Sequence, residues 1–322
     1  MNNVIGKTKP SISLGFTLVE LLVVIGIIAL LISILLPSLN KSRRAALAVE
    51  CQSNMRQMGV GLRMYTEANN SWLPSSGEDG DAAGTALTLP DKWGWASDCL
   101  WMNAVSHYTF GKTYNQIQVD AMNGRGRVPI DGDHHVLVCP AAPPAVGSWT
   151  STDGDPVVNG YFMMWGNNNV NGSLTATQRQ TFVCYAWNYK LFGGTANATS
   201  STNPTGGWAQ MGKITQIPHP AETCIVFEKR TSMAEVTPAD DAYYASYSGK
   251  TNQIVGSPVG RFRGDWRRFS SRHDGSGFVL FADGHVSSFK MRDVLTPTTV
   301  SGTTYDWNKY NQLIWNCQAL AK

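Results

Sequence analysis

Histidine and carboxylate side chains gather at two places in the chain. One is Ser271-Arg272-His273-Asp274-Gly275, followed after Phe278-Val279-Leu280-Phe281-Ala282 by Asp283-Gly284-His285. The other is Asp131-Gly132-Asp133-His134-His135. Imidazole and carboxylate suit zinc and other first-row metals. His273, Asp283 and His285, with Asp131, Asp133, His134 and His135 beside them, therefore make a candidate site for a structural metal ion. A second assignment needs no ion and is preferred. Asp283 already has a turn to form, and His273 can bond a backbone group or Asp283 and lock that turn.

Other chemistry-bearing types are sparse. Asp153-Gly154-Asp155 is similar to part of a calcium loop, but it lacks the spaced third ligand and the closing glutamate, so it reads as a solvated turn. There is no Gly-x-Ser-x-Gly, P-loop, HExxH or dinucleotide-binding fingerprint, and no enzyme activity or cofactor is expected. Trp93, Trp95, Trp101 and Trp208 lie in or near loop-like stretches and offer faces for a sugar, although tryptophan more often anchors a core. Cys51, Cys99, Cys139, Cys184, Cys224 and Cys317 are widely spaced, with no CxxC pair. Six cysteines allow fifteen full pairings if the domain is exported; buried free thiols are the other reading.

The elements that hold these residues follow from pattern. Val136–Cys139, Tyr161–Trp165, Phe182–Tyr185 and Cys224–Phe227 are short apolar runs expected as strands. Residues 75–92 and 193–208 are rich in Gly, Ser, Thr and Asn and read as loops. Asp283-Gly284 between two apolar runs predicts a hairpin over 278–291 with a two-residue type I′ turn. That turn pairs Ala282 with His285, Phe281 with Val286 and Phe278 with Phe289, and puts Phe278, Leu280, Ser287 and Phe289 on one face.

Charged residues make up 15% of the chain and the net charge is +3. The low charge and the polar-neutral, aromatic-rich remainder suit an exported domain, and nothing in the charge balance calls for a nucleic acid. The N-terminal segment is the most distinctive. Residues 1–15 are short and polar, with Lys7 and Lys9. Gly15-Phe16-Thr17-Leu18-Val19-Glu20 then opens an apolar run that ends at Pro37. The run from Phe16 to Leu36 matches the roughly 20 residues a helix needs to cross a bilayer. It is too long for the apolar core of an ordinary secretory signal, and a plain anchor leaves the carboxylate of Glu20 unexplained. Beyond it, Leu47, Cys51, Met55, Met58, Leu62 and Tyr65 form one helical stripe. Arg44, Glu50, Gln52, Asn54, Arg56 and Arg63 take the other faces, and Gly59 and Gly61 weaken the last turns. The helix should end near Asn69-Asn70-Ser71, giving a rod of about 80 Å.

The stretch from Gly15 to Ile25 closely resembles the signal of type IV prepilins and type II secretion pseudopilins. The resemblance implies cleavage after Gly15 by a prepilin peptidase and N-methylation of Phe16. It also implies pairing of Glu20 with the amine of Phe16, its own or a neighbour's, and a helix-loosening proline at Pro37. His273, nine residues, then Asp283-Gly284 resembles the His-x9-Asp-Gly motif of a large planctomycete-type family of pilin-like proteins. Cys51-Gln52-Ser53-Asn54-Met55-Arg56-Gln57, Val138-Cys139-Pro140 and Ile225-Val226-Phe227-Glu228 fit the same family.

The expected organisation is a cleaved leader (1–15), a pilin helix (16–70, transmembrane over 16–36) and a globular domain (71–322). The fold class is α+β, with the helix packed on an antiparallel sheet. The implied partners are the peptidase and N-methyltransferase, other pilin or pseudopilin subunits, the assembly machinery and the membrane. The implied location is the bacterial inner membrane, with a cytoplasmic leader and an exported C-terminal domain, and later a filament. The positive-inside count opposes this, since Lys41, Arg43, Arg44 and Arg56 follow the span; the peptidase signal takes precedence. The competing function is a membrane-anchored module that binds polysaccharide.

Overall fold

A computed structural model describes residues 17–74, 101–114, 116–117, 120, 124–126, 129, 132–142, 149–150, 156–158, 161–163, 180–181, 184–188, 191, 212–229, 231, 263–264, 269–290, 293–294, 298–300, 304–306, 309–310 and 313–315. Gly15, Phe16, Trp93, Trp95, Cys99, Asp131, Asp153, Asp155, Trp208, Cys317 and the loops at 75–92 and 193–208 lie outside them. The chain divides into two compact units, Met1–Ala46 and Leu47–Lys322. Helix α1 (Leu18–Ala68) contributes to both.

In the first unit, α1 begins at a reciprocal cap. The Thr17 amide donates to Glu20 Oε2 (2.8 Å), and the Glu20 amide donates back to Thr17 Oγ1 (3.3 Å). This is the Thr-x-x-Glu capping box, which satisfies two of the amides a helix start leaves open. From there to Ala46 every residue is exposed. The segment is long and apolar enough to cross a membrane, which makes it a candidate membrane anchor or signal sequence. The helix continues through Pro37 without a break, although proline removes one amide from the ladder.

In the second unit, Cys51, Met55, Met58, Leu62 and Tyr65 are buried, as the stripe predicts, and Leu47 is half-buried. Asn54 departs from its expected polar face. It is buried, and its Nδ2 donates to the carbonyls of Val138 (3.1 Å) and His135 (3.4 Å). Those bonds explain a second difference: residues 136–139 form a turn, not a strand. Their backbone is satisfied by the helix and by local bonds, Val138 N–H to His135 C=O (2.8 Å) and Leu137 N–H to His135 Nδ1 (3.2 Å), so no sheet partner is needed.

Gly59 and Gly61 do not fray the helix. A Cβ on Gly59 would lie 2.9 Å from Leu280 Cδ1, and one on Gly61 would lie 3.0 Å from Thr109 Cγ2. The two glycines are where the helix closes on its neighbours. The helix ends as predicted: Asn70 turns left-handed (φ 51°), and the Ser71 amide bonds the Thr66 carbonyl (2.8 Å). Helix α2 (Trp101–Phe110) was not anticipated. It buries Trp101, which sits 6.2 Å from Trp187; this tryptophan is a core anchor and presents no face to a sugar.

Short strands β1 (Trp149–Thr150), β2 (Pro156–Val158), β3 (Tyr161–Met163) and β4 (Gln180–Thr181) form one antiparallel sheet. The central sheet comprises β5 (Tyr185–Asn188), β6 (Cys224–Glu228), β7 (Arg263–Gly264), β8 (Ser276–Phe281) and β9 (Val286–Lys290), in the order β7-β5-β6-β8-β9. It is antiparallel except where β7 joins β5 in parallel. Three further strands run from 298 to 310 and a last one, Leu313–Ile314, follows; they pair off as two small hairpins.

Both faces of the central sheet are buried. Tyr185, Trp187, Ile225, Val226, Phe278, Leu280 and Val286 pack with the α1 stripe and α2. Ala186, Cys224, Phe227, Val279 and Phe281 pack with Phe269, Val294, Leu313 and Trp315. A register shift between Cys224 and Val226 puts both Ile225 and Val226 on the helix side.

The β8–β9 hairpin forms, but one residue out of the expected register. Leu280 pairs with Val286 and Phe278 with Ser288, so Phe289 shares a face with Phe281, not with Phe278. The loop is Ala282-Asp283-Gly284, and only Gly284 has positive φ (94°). Such three-residue loops combine a turn with a left-handed glycine. The two-residue Asp-Gly turn with both central residues at positive φ does exist, at Asp274 (51°) and Gly275 (82°). His273 and Ser276 close it with paired backbone bonds of 3.0 Å each.

Gly277 sits where two backbones nearly touch: an added Cβ would be 2.5 Å from the Ser270 carbonyl and 3.0 Å from Phe269 Cζ. Gly277→Ala should destabilise the domain by about 1–3 kcal/mol, the usual cost of overpacking. Thermal unfolding of the full chain in detergent checks this; an unchanged midpoint would contradict the close approach.

Candidate functional site

The hairpin at Asp274-Gly275 sets His273 at the mouth of β8. Its ring packs on Phe278 (4.9 Å between centroids) and its side chain is 6% exposed. The partner of its Nε2 is Glu228 Oε1 at 3.0 Å, not Asp283. Glu228 ends β6 and is fully buried; its other oxygen accepts the Phe278 amide (2.9 Å). Buried carboxylates need such full satisfaction, because an unmet charge in the interior is costly.

Two sulfurs complete the cluster. Cys51 of α1 and Cys139 of the 136–142 turn are joined in a disulfide that spans 88 residues of sequence. Cys139 Sγ lies 3.6 Å from His273 Nε2. Cys51, Cys139, Glu228 and His273 thus bring one ligand-type atom each within 4.8 Å of one another. Among the described residues no other group of three or more His, Cys, Asp or Glu converges in this way. Because one nitrogen faces both the sulfur and the carboxylate, the three do not form a relay of the cysteine–histidine–acid type, which would use both ring nitrogens. The atoms converge on a shared point instead.

The other sequence-predicted residues lie apart from this cluster. Asp283 and His285 meet each other at the hairpin tip, Oδ1 to Nδ1 at 2.6 Å, half-exposed, with the His285 ring stacked on Phe281 (4.2 Å). His134 contacts Glu50 of α1. His135 stacks on Phe110 (4.6 Å); burial pulls its pKa below the ordinary value, opposed by nearby Asp133. Of the cluster, only His273 is a site residue by sequence; Cys51, Cys139 and Glu228 stand in segments that resemble the same family, with nothing local to join them to it. Glu228 carried one signal: it is a lone carboxylate closing an otherwise apolar strand.

Of the described cysteines, Cys184 and Cys224 are free and buried. Burial pushes the Cys184 thiol up to about 11, against the opposing pull of Arg272, and burial alone raises Cys224. Thiols held protonated in this way are poor nucleophiles, so the cross-link is shielded from exchange with its neighbour Cys184.

These features define an α+β domain whose core includes the second half of a long helix, with an exposed, largely apolar first half. The chain belongs to the family described as Protein of unknown function (DUF1559), whose model matches residues 40–291. No curated protein and no solved structure matches it. Family membership and the apolar N-terminal helix together are compatible with a pilin-like surface protein.

Cys139→Ser opens the cross-link. In the chain-entropy picture, freeing a loop of this length costs about 4–5 kcal/mol. Urea unfolding should show that loss, with the parent chain falling to a similar midpoint once reduced in the presence of a chelator. Equal stability of variant and parent would contradict a structural role for the bond.

Proposed function

We propose that this chain is a prepilin-like structural subunit. It is cut after Gly15, N-methylated on Phe16 and assembled through its N-terminal helix into a type IV pilus or type II secretion pseudopilus-like filament. One observation carries the reading: from Leu18 to Leu36 all residues but Glu20 and Ser33 are apolar or glycine, and every one of them is exposed. Burying each such Leu, Ile or Val side chain is worth about 1.5–3 kcal/mol, so the segment requires lipid or sister helices. A bilayer serves before assembly, and packed helices of other subunits serve after it. The partners are then the peptidase and methyltransferase, like subunits and the assembly machinery. The domain from Leu47 onward lies on the exported side.

Glu20 has two tasks in this reading. It completes the capping box with Thr17, and it offers a carboxylate to the new amine of Phe16, since two charges that are costly in lipid offset each other when paired. The tasks are separable, because glutamine also serves at this box position. Mass spectrometry of chain from peptidase-competent cells should find N-methyl-Phe16 at the start; an intact Met1 there would contradict the proposal. Both Glu20→Ala and Glu20→Gln should be cleaved yet assemble poorly. Normal assembly of Glu20→Gln would reduce Glu20 to a cap.

A further inference from the structure

A disulfide explains Cys51 and Cys139, but it does not explain what lies against them. Glu228 is fully buried and the His273 side chain is 6% exposed; Lys229, next in sequence to Glu228, and Ser270, whose amide bonds the Glu228 carbonyl, are buried beside them. A buried histidine–carboxylate pair seldom adds net stability over apolar packing. A disulfide needs neither group. Four donors from four separate elements nevertheless point at one spot: α1, the 136–142 turn, β6 and the Asp274-Gly275 hairpin.

The spacing fits an ion. Zinc bonds sulfur near 2.3 Å and nitrogen or oxygen near 2.0–2.1 Å, which sets tetrahedral edges of about 3.5 Å for S···N and about 3.3 Å for N···O. Cys139 Sγ to His273 Nε2 is 3.6 Å, and His273 Nε2 to Glu228 Oε1 is 3.0 Å. The two sulfurs are too close for two separate thiolate ligands, because they are bonded to each other; every other separation among the four atoms is within 4.8 Å.

We propose that Cys51, Cys139, Glu228 and His273 form a redox-gated site for a thiophilic divalent cation of the zinc class. In the oxidised form the two sulfurs are bonded and the cation has no thiolates. A dithiol reductant supplies two electrons and two protons: the S–S bond breaks, two S–H bonds form, and the reductant leaves as its own disulfide. The cation then displaces both thiol protons to solvent and binds two thiolates. The Glu228 carboxylate and the neutral His273 ring, protonated on Nδ1, complete the set. Cross-link and ion are mutually exclusive ways of tying α1 to the turn, so reducing surroundings select one and oxidising surroundings the other.

Cobalt(II) tests this on the full chain in detergent, because thiolate ligation gives it a charge-transfer absorption. The reduced chain should take up one cobalt per chain with that absorption, and the oxidised chain none. Cys51→Ser should lose at least half of the charge-transfer band and Glu228→Gln should weaken binding at least tenfold. Asp283→Asn with His285→Gln, at the exposed hairpin tip, should bind as the parent does. A reduced chain that keeps its circular dichroism but takes up no cobalt overturns the proposal. So does a reduced chain that unfolds and is not restored by cobalt, since metal ligation and folding are coupled, or a band indifferent to Cys51→Ser.

Discussion

Everything in the domain depends on one burial: the stripe Cys51, Met55, Met58, Leu62 and Tyr65 laid against the central sheet and α2. A helix segment of this length is marginal alone in water, and packing, not propensity, keeps such helices formed. Gly59 and Gly61 show how close the packing is. They forfeit helix propensity and gain contact with Leu280 and with α2. Asn54 carries the same interface into the polar backbone of the 135–138 turn, and the Cys51–Cys139 bond fixes it covalently. Helix, turn and sheet form one core, so the helix segment cannot be removed without exposing the sheet.

The same helix has no such partner before Ala46. Its side chains there are exposed, and from Leu21 to Leu36 all but Ser33 and Gly26 are apolar. One helix thus answers two solvents: its second half is buried by its own domain, and its first half awaits burial by something else. That division agrees with the sequence pattern, which is apolar all round at first and one-sided later. It is also an arrangement that suits the filament subunit proposed above.

The parts legible in sequence were those set by local periodicity. The stripe, the helix end at Asn70 and the strand at Cys224–Glu228 follow from spacing and turn chemistry. The parts that misled were set by tertiary partners. Residues 136–139 are as apolar as a strand, but Asn54 and His135 satisfy their backbone. Asp274-Gly275 and Asp283-Gly284 are the same dipeptide with different loops, because one hairpin accommodates an extra residue and the other does not. The cluster at His273 joins residues from position 51 to position 273, and no local pattern connects them. The segments that hold Cys51, Cys139 and Glu228 were each legible as resembling one family, but not that their side chains meet at His273.

Amide hydrogen exchange along α1 in the full chain, held in detergent and read by mass spectrometry, tests the central claim most directly. Amides of residues 51–66 should exchange only in the slow cooperative opening that also releases β6 and β8, because they share that core. Exchange of 51–66 well ahead of a still-protected β6 and β8 would contradict the account, showing a helix that merely rests on the sheet.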